Sequence, residues 1–252
     1  MKFVRFAAVV ALAALFSARA DARTVSFTTS DSIALSADHQ GSGDRGVVLI
    51  HGNGDDRSGW GDLTAALGAQ GMQAMAIDLR GHGASKGEAD PLKMMADVNA
   101  AIAYLRGKGV KHVTLVGSKL GATLALAAAA KDPAVEAVVM ISPNLTTNGV
   151  KVSSSLKGYG ERPLLMIAGE DDTVSRKAID LIDNEVPNAT VQILESGGSG
   201  MALVNRAANL ETTLIAWATG NQKAAAGDLS PEMKMGEAAN LETTGTKLGE
   251  RK

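Results

Sequence analysis

The 252-residue chain has no cysteine. That excludes a disulfide framework, a thiolate zinc site, an iron–sulfur cluster, a cysteine nucleophile and a lipid-anchored N-terminal cysteine. Histidine is scarce and confined to the first half: His39, His51, His82 and His112 are the only four. Beyond residue 22 the aromatics are Phe27, Trp60, Tyr104, Tyr159 and Trp217, too few for a platform that stacks bases or sugars. No spacing of His, Asp and Glu marks a transition-metal site, and the phosphate-cradling Gly-x-x-x-x-Gly-Lys-Ser/Thr loop is missing. No metal and no cofactor are expected. Charge of one sign is also lacking, with 25 basic against 27 acidic residues. A chain so balanced has no bulk attraction for nucleic acid or anionic lipid.

What is present begins with an export pattern. Lys2 and Arg5 precede an eleven-residue apolar run from Phe6 to Phe16, and Ala18-Arg19-Ala20 follows with small residues at cleavage spacing. The run is shorter than the roughly 20 apolar residues a membrane span needs. Residues 1–22 therefore read as a signal peptide cleaved after Ala20 or Ala22, with the product periplasmic or extracellular and no span left after cleavage. Cleavage after Ala20 leaves 22 basic and 27 acidic side chains, a net charge of −5. Residues 23–219 read as one domain with a sizeable core. Residues 220–252 carry ten charges and no Val, Ile or aromatic, which reads as a disordered polar tail. Within it, Ala238 to Thr244 repeats Ala207 to Thr213 word for word, as a partial duplication would. Asn144-Leu145-Thr146 and Asn188-Ala189-Thr190 match glycosylation acceptors, a triplet that arises often by chance.

Thr24–Thr29 and Ile33–His39, split by Ser30-Asp31-Ser32, read as an antiparallel hairpin. Six short apolar runs follow, at Val47–Ile50, Met72–Ile77, Val113–Val116, Val135–Ile141, Leu164–Ala168 and Val191–Leu194. Their length and β-branched content suit buried parallel strands. Helical patterns lie between them. One is expected to start at Asp90-Pro91 and to place Leu92, Met95, Val98, Ile102 and Leu105 on one face; another follows Met201, with Leu203, Ala207, Leu210, Leu214 and Trp217 on its stripe. The pattern predicts an α/β fold: a mostly parallel sheet of about eight strands with helices on both faces, its site at the carboxyl ends of the strands. About twenty residues separate Pro143 from Pro163, too few for a cap domain, so the cleft should be open.

Three segments fall at those carboxyl ends: His51-Gly52-Asn53-Gly54, Asp78-Leu79-Arg80-Gly81-His82-Gly83-Ala84-Ser85, and Gly117-Ser118-Lys119-Leu120-Gly121. In this order and spacing they resemble the α/β-hydrolase superfamily, nearest to lidless esterase, dienelactone-hydrolase and serine-aminopeptidase-like members. The resemblance implies a nucleophile elbow at Gly117 and Gly121, an acid after a later strand, and a histidine before the last helix. It also implies an oxyanion hole from the backbone N–H groups of Asn53 and Leu120. The acid is supplied by Gly169-Glu170-Asp171-Asp172, with Asp172 the better fit. The other two triad positions are altered. Lys119 stands at the nucleophile position and Ser199 at the histidine position, and no histidine follows the elbow.

Without a base, a serine hydroxyl is a poor nucleophile at neutral pH. The expected protein is therefore a pseudo-hydrolase that binds a small, possibly anionic, ligand or a protein partner. The alternative is a weak esterase or peptidase with Ser118 as fallback nucleophile and His51 or His82 as fallback base. A third reading makes Lys119 a Schiff-base amine. Lys119 itself has three readings: a stem carrying its charge into solvent, an ion pair with Asp172 across the missing imidazole, or a seat for a small anion. His51 and His82 otherwise read as loop-bridging groups, His112 and His39 as surface residues, and Asp55 and Asp56 as solvated acids beside the cleft.

Overall fold

The computed structural model describes residues 23–186, 189–195, 198–206 and 210–222. The expected signal peptide, Asn188, the first copy's Ala207–Asn209 and nearly all of the expected tail, with its second copy, lie outside the described residues. Among those described, no helix is long and apolar enough to cross a membrane.

The order of elements is β1 (Arg23–Thr28), β2 (Ala34–Gln40), β3 (Arg45–Ile50), a 3-10 turn (Arg57–Trp60), α1 (Gly61–Ala69), β4 (Gln73–Ile77), α2 (Met95–Gly107), β5 (His112–Ser118) and α3 (Leu120–Lys131). Then come β6 (Val135–Ile141), β7 (Thr146–Thr147), β8 (Val150–Lys151), α4 (Ser153–Tyr159), β9 (Leu164–Gly169), α5 (Thr173–Asp183), β10 (Ala189–Leu194), α6 (Met201–Arg206) and α7 (Leu210–Ala218). Eight strands form one sheet in the order β1-β2-β4-β3-β5-β6-β9-β10. β1, β2 and β4 pair antiparallel, and every pairing from β4 through β10 is parallel.

Successive side chains of a strand point to opposite faces, and the two cores follow that parity. Val48, Ile50, Leu115, Val138 and Met166 join the core under α2, α3, α4 and α5. Val47, Leu49, Val116, Val139 and Ile167 join the core under α1, α6 and α7. Strands buried on both faces are why the sequence shows continuous apolar runs rather than alternation. The alanines of α3 let it sit against β5 and β6 while α2 and α4 cover it, and every residue from Leu120 to Ala129 is buried.

Two local expectations need correction. Pro91 begins a turn, not a helix: the Asp90 carboxylate accepts from the N–H of Leu92 (3.1 Å), and α2 starts at Met95. Leu92 is therefore off the helix face, 70% exposed, and lines a pocket of about 290 Å³ with Pro91, Met95, Leu124 and Val150. The segment between Pro143 and Pro163 holds no cap domain, but it does contain the β7–β8 hairpin and α4. Asn148 and Gly149 both take positive φ, 51° and 84°, in the two-residue turn of that hairpin, as a type I′ turn demands.

The strand ends and the first turn of α3 meet backbone to backbone. A Cβ on Gly121 would lie 2.2 Å from the Ile50 carbonyl oxygen and 2.6 Å from that of His51; one on Gly117 would lie 2.2 Å from the Gly121 carbonyl oxygen. Overpacking a tight site costs about 1–3 kcal/mol, and backbone atoms yield less readily than side-chain ends. Gly121→Ala is expected to lower unfolding stability by at least about 1–3 kcal/mol, checked by urea denaturation, with Gly61→Ala as the control because nothing lies within 4 Å of its added Cβ.

Candidate functional site

Lys119 occupies the apex between β5 and α3 with φ 51° and ψ −111°. Such a conformation is uncommon for a residue with a Cβ and is held by its surroundings. Here the Lys119 N–H donates to the Ile141 carbonyl (2.9 Å), and the Lys119 carbonyl accepts from the N–H groups of Ala122 (3.1 Å) and Thr123 (3.3 Å). The turn of a nucleophile elbow is thus built around a lysine.

Ser118 does not stand in for it. As the last residue of β5 it shares parity with Val116, whose side chain enters the core under α1, α6 and α7, away from α3. Its side chain is fully buried and its Oγ has no hydrogen-bond partner. The fallback pairing of Ser118 with His51 or His82 is therefore corrected: no hydrogen bond joins the hydroxyl to either imidazole.

His51 is fully buried and both its ring nitrogens are used by backbone. Nε2 accepts from the N–H of Leu79 (3.0 Å), so Nδ1 carries the proton and donates to the Gly52 carbonyl (2.7 Å). Burial holds its pKa below the ordinary value. A histidine fixed in this way ties the loop after β3 to the loop after β4 and has no nitrogen left for a substrate. The His82 ring lies 5.1 Å from it, centroid to centroid. Its Nδ1 donates to the Arg80 carbonyl (3.0 Å), and its Nε2 accepts from the N–H of Gly54 (3.4 Å). Both imidazoles are loop fasteners.

The same loop rests on two buried carboxylates. Asp78 accepts from the N–H groups of Arg57 and Ala84 (both 2.8 Å) and pairs with the Arg57 guanidinium, while a Cβ on Gly83 would fall 2.2 Å from its Oδ2. Arg80, almost fully buried, reaches Asp97 and Asp31 with its two edges. That bond holds the Asp31 carboxyl well below the usual carboxylate range, whereas burial pushes Asp97 up. Asp56 caps the 3-10 turn, its carboxylate accepting from the N–H of Ser58 (2.8 Å). His39 is half-buried, bonded to Gln73 (3.1 Å) and edge-on to Tyr104, which corrects its expected exposure. His112 lies at the opposite end of the sheet, paired with Glu136.

On the far side of the elbow, Asp172 begins α5, and its Oδ1 accepts from the N–H of Ser175 (3.1 Å). Its Oδ2 is buried with no hydrogen-bond partner. Ser199 lies in the loop before α6. The loop is pinned by Ser142 Oγ, which accepts from the N–H of Gly200 (2.8 Å). The expected Lys119–Asp172 ion pair is not formed among the described residues. The loop intervenes: a Cβ on Gly200 would meet the Lys119 Cε at 2.6 Å, and one on Gly169, at the end of β9, would meet the Gly198 carbonyl oxygen at 2.6 Å. Sequence reasoning missed Ser142 and Gly200. Ile141-Ser142-Pro143, a small polar residue at a strand's carboxyl end, was the available signal for the first.

The N–H groups of Asn53 and Leu120 donate to no acceptor among the described residues. Gly52 brings the β3 loop close, with its notional Cβ 3.4 Å from the Lys119 Cβ. No group of three or more His, Asp or Glu is placed to hold a metal ion among the described residues. The arrangement can hold a carbonyl or carboxylate oxygen beside a lysine; it offers no free imidazole to move a proton.

Residues 41–159 match the family described as serine aminopeptidase, S33. An uncharacterised protein of Mycobacterium tuberculosis is 32% identical over 100 residues, 38% of this chain and about a third (35%) of that protein's length. The ethanol acetyltransferase 1 of Cyberlindnera fabianii is 27% identical over 154 residues, 59% of this chain and 46% of that enzyme. Among solved structures, a Pyrococcus furiosus esterase superposes with a TM-score of 0.68 at 18% identity, over 81% of this chain and 91% of that one.

Burial holds the folded pKa of both His51 and His39 below the ordinary value of 6.5. Below that pH the unfolded chain binds more protons than the folded one, so the stability these rings contribute is complete above about pH 6.5 and is lost as pH falls. Urea denaturation should show the unfolding free energy declining below about pH 6.5, with a shallower decline in His51→Gln. Nitrogen-15 NMR above pH 6.5 should find the His51 ring neutral with its proton on Nδ1.

Proposed function

We propose that this chain, whose residues 41–159 match the family described as serine aminopeptidase, S33, and whose fold superposes on a solved esterase, is an exported α/β-hydrolase-superfamily member that no longer works as a serine hydrolase and instead binds a small ligand carrying a carbonyl or carboxylate oxygen. One observation carries the reading. At the elbow apex stands Lys119, and opposite it the triad acid Asp172 keeps a buried Oδ2 that no donor satisfies among the described residues. In a working triad that oxygen would hold the imidazole that takes the nucleophile's proton. A buried acceptor left unsatisfied costs about 1–3 kcal/mol, which fits a site that has lost the histidine once bonded to it.

What remains favours binding. The backbone donors of Asn53 and Leu120 do not depend on side-chain identity, and the positive end of α3 favours negative charge near it. A protein partner reaching the same open cleft would meet the same donors. Export rests on the residue 1–22 pattern, and it predicts a secreted form whose N-terminus is Asp21 or Arg23.

A constructive variant tests the reading. Lys119→Ser combined with Ser199→His places a nucleophile on the strained apex and a base in the loop before α6. General-base catalysis contributes about 10²–10⁴-fold, so steady hydrolysis of short-chain aryl esters by the double variant is expected to exceed wild type by about 100-fold or more. Sustained wild-type turnover that disappears in Ser118→Ala would contradict the proposal.

A further inference from the structure

We propose that Lys119 is a single-turnover acyl acceptor: activated acyl compounds, aryl esters or thioesters, transfer their acyl group once to its Nζ and leave it there as an amide. The inference rests on the reading of the cleft as a carbonyl-binding site without a base, and adds to it a substrate class and a covalent outcome.

Four features converge on that amine. The elbow fixes the Lys119 backbone through three hydrogen bonds, so the side chain departs from the apex in one direction. Its Nζ makes no ion pair or hydrogen bond among the described residues, whereas Lys93 pairs with Asp90 and Lys111 with Asp44. Its stem lies over Gly200 in space that any Cβ there would occupy. The N–H groups of Leu120, next in chain to the apex, and of Asn53, next to Gly52 whose notional Cβ lies 3.4 Å from the Lys119 Cβ, donate to no acceptor among the described residues, and an oxygen that gains charge needs such donors.

The chemistry needs no partner base. An amine attacks in its neutral form, which a hydroxyl at neutral pH cannot do unaided. The Lys119 ammonium first gives a proton to solvent. The Nζ lone pair then forms a bond to the carbonyl carbon, and the carbonyl electrons move onto the oxygen held by the two N–H groups. Collapse breaks the bond to the phenolate or thiolate, and the second amine proton leaves to solvent or to that leaving group. One amide and one phenol or thiol result, with no change of oxidation state. Hydrolysing the amide requires a group to activate water, and both His51 nitrogens are bound to backbone. The reaction therefore stops after one equivalent.

The test uses the full chain and p-nitrophenyl acetate at pH 8, read by released p-nitrophenol, intact mass and peptide mapping. The expected result is one equivalent released per chain and one acetyl group, mapped to Lys119. Acetylation there should run roughly tenfold or more faster than at Lys93 and Lys111, whose side chains are 65% and 75% exposed. Asn53→Pro, which deletes one N–H donor, should slow Lys119 labelling by about tenfold or more while leaving Lys93 unchanged. If that variant fails to fold, the wild-type ratio of Lys119 to Lys93 and Lys111 still decides. Labelling of Lys119 no faster than of those two lysines overturns the acyl-acceptor proposal and leaves the binding reading standing. Release far beyond one equivalent that depends on Ser118 overturns both.

Discussion

The first turn of α3 presses directly on the carbonyl ends of β3 and on the last residues of β5, and the geometry of the cleft follows from that contact. It exists because Gly117 and Gly121 carry no Cβ; either would collide with backbone at about 2.2 Å. With the helix this close, the chain has one residue in which to turn, and that residue is driven to φ 51°. The turn leaves the Asn53 and Leu120 N–H groups unpaired at the cleft and sends Ser118 to the opposite face of the sheet. The hydrogen bonds that hold the apex are made by its backbone, and the residue that occupies it is a lysine.

The surrounding loops are held independently of any triad. His51, Asp78 and Arg80 are each buried and satisfied by bonds that join the β3 loop, the β4 loop and α2. On the other side of the cleft, Asp172 Oδ2 is buried with no hydrogen-bond partner among the described residues. The loop before α6 is glycine-rich. Pinned by Ser142, it fills the gap between Lys119 and Asp172 and keeps the two charges apart.

Much of the fold was legible because strands buried on both faces leave unbroken β-branched runs: six strands lie where those runs predicted, and β1 and β2 where the hairpin pattern placed them. The elbow was legible from two glycines four residues apart after a strand. Other features escaped for local reasons. Asp90-Pro91 carries a helix-start signature, yet the chain uses it for a turn, and Leu92 ends up exposed. Asn148-Gly149 between Thr147 and Val150 carries a hairpin signal, but the strands it joins are only two residues long and leave no apolar run. The Lys119–Asp172 pairing could not be judged from spacing, because the loop that packs against both segments, Gly198 to Gly200, comes 26–28 positions after Asp172.

Everything turns on whether any hydroxyl in this cleft can attack a carbonyl or phosphorus centre. The most direct measurement is the intact mass of the wild-type protein after exposure to a fluorophosphonate, which modifies activated serines. The account predicts an unchanged mass. A stoichiometric adduct mapped to Ser118 or Ser199 would contradict it.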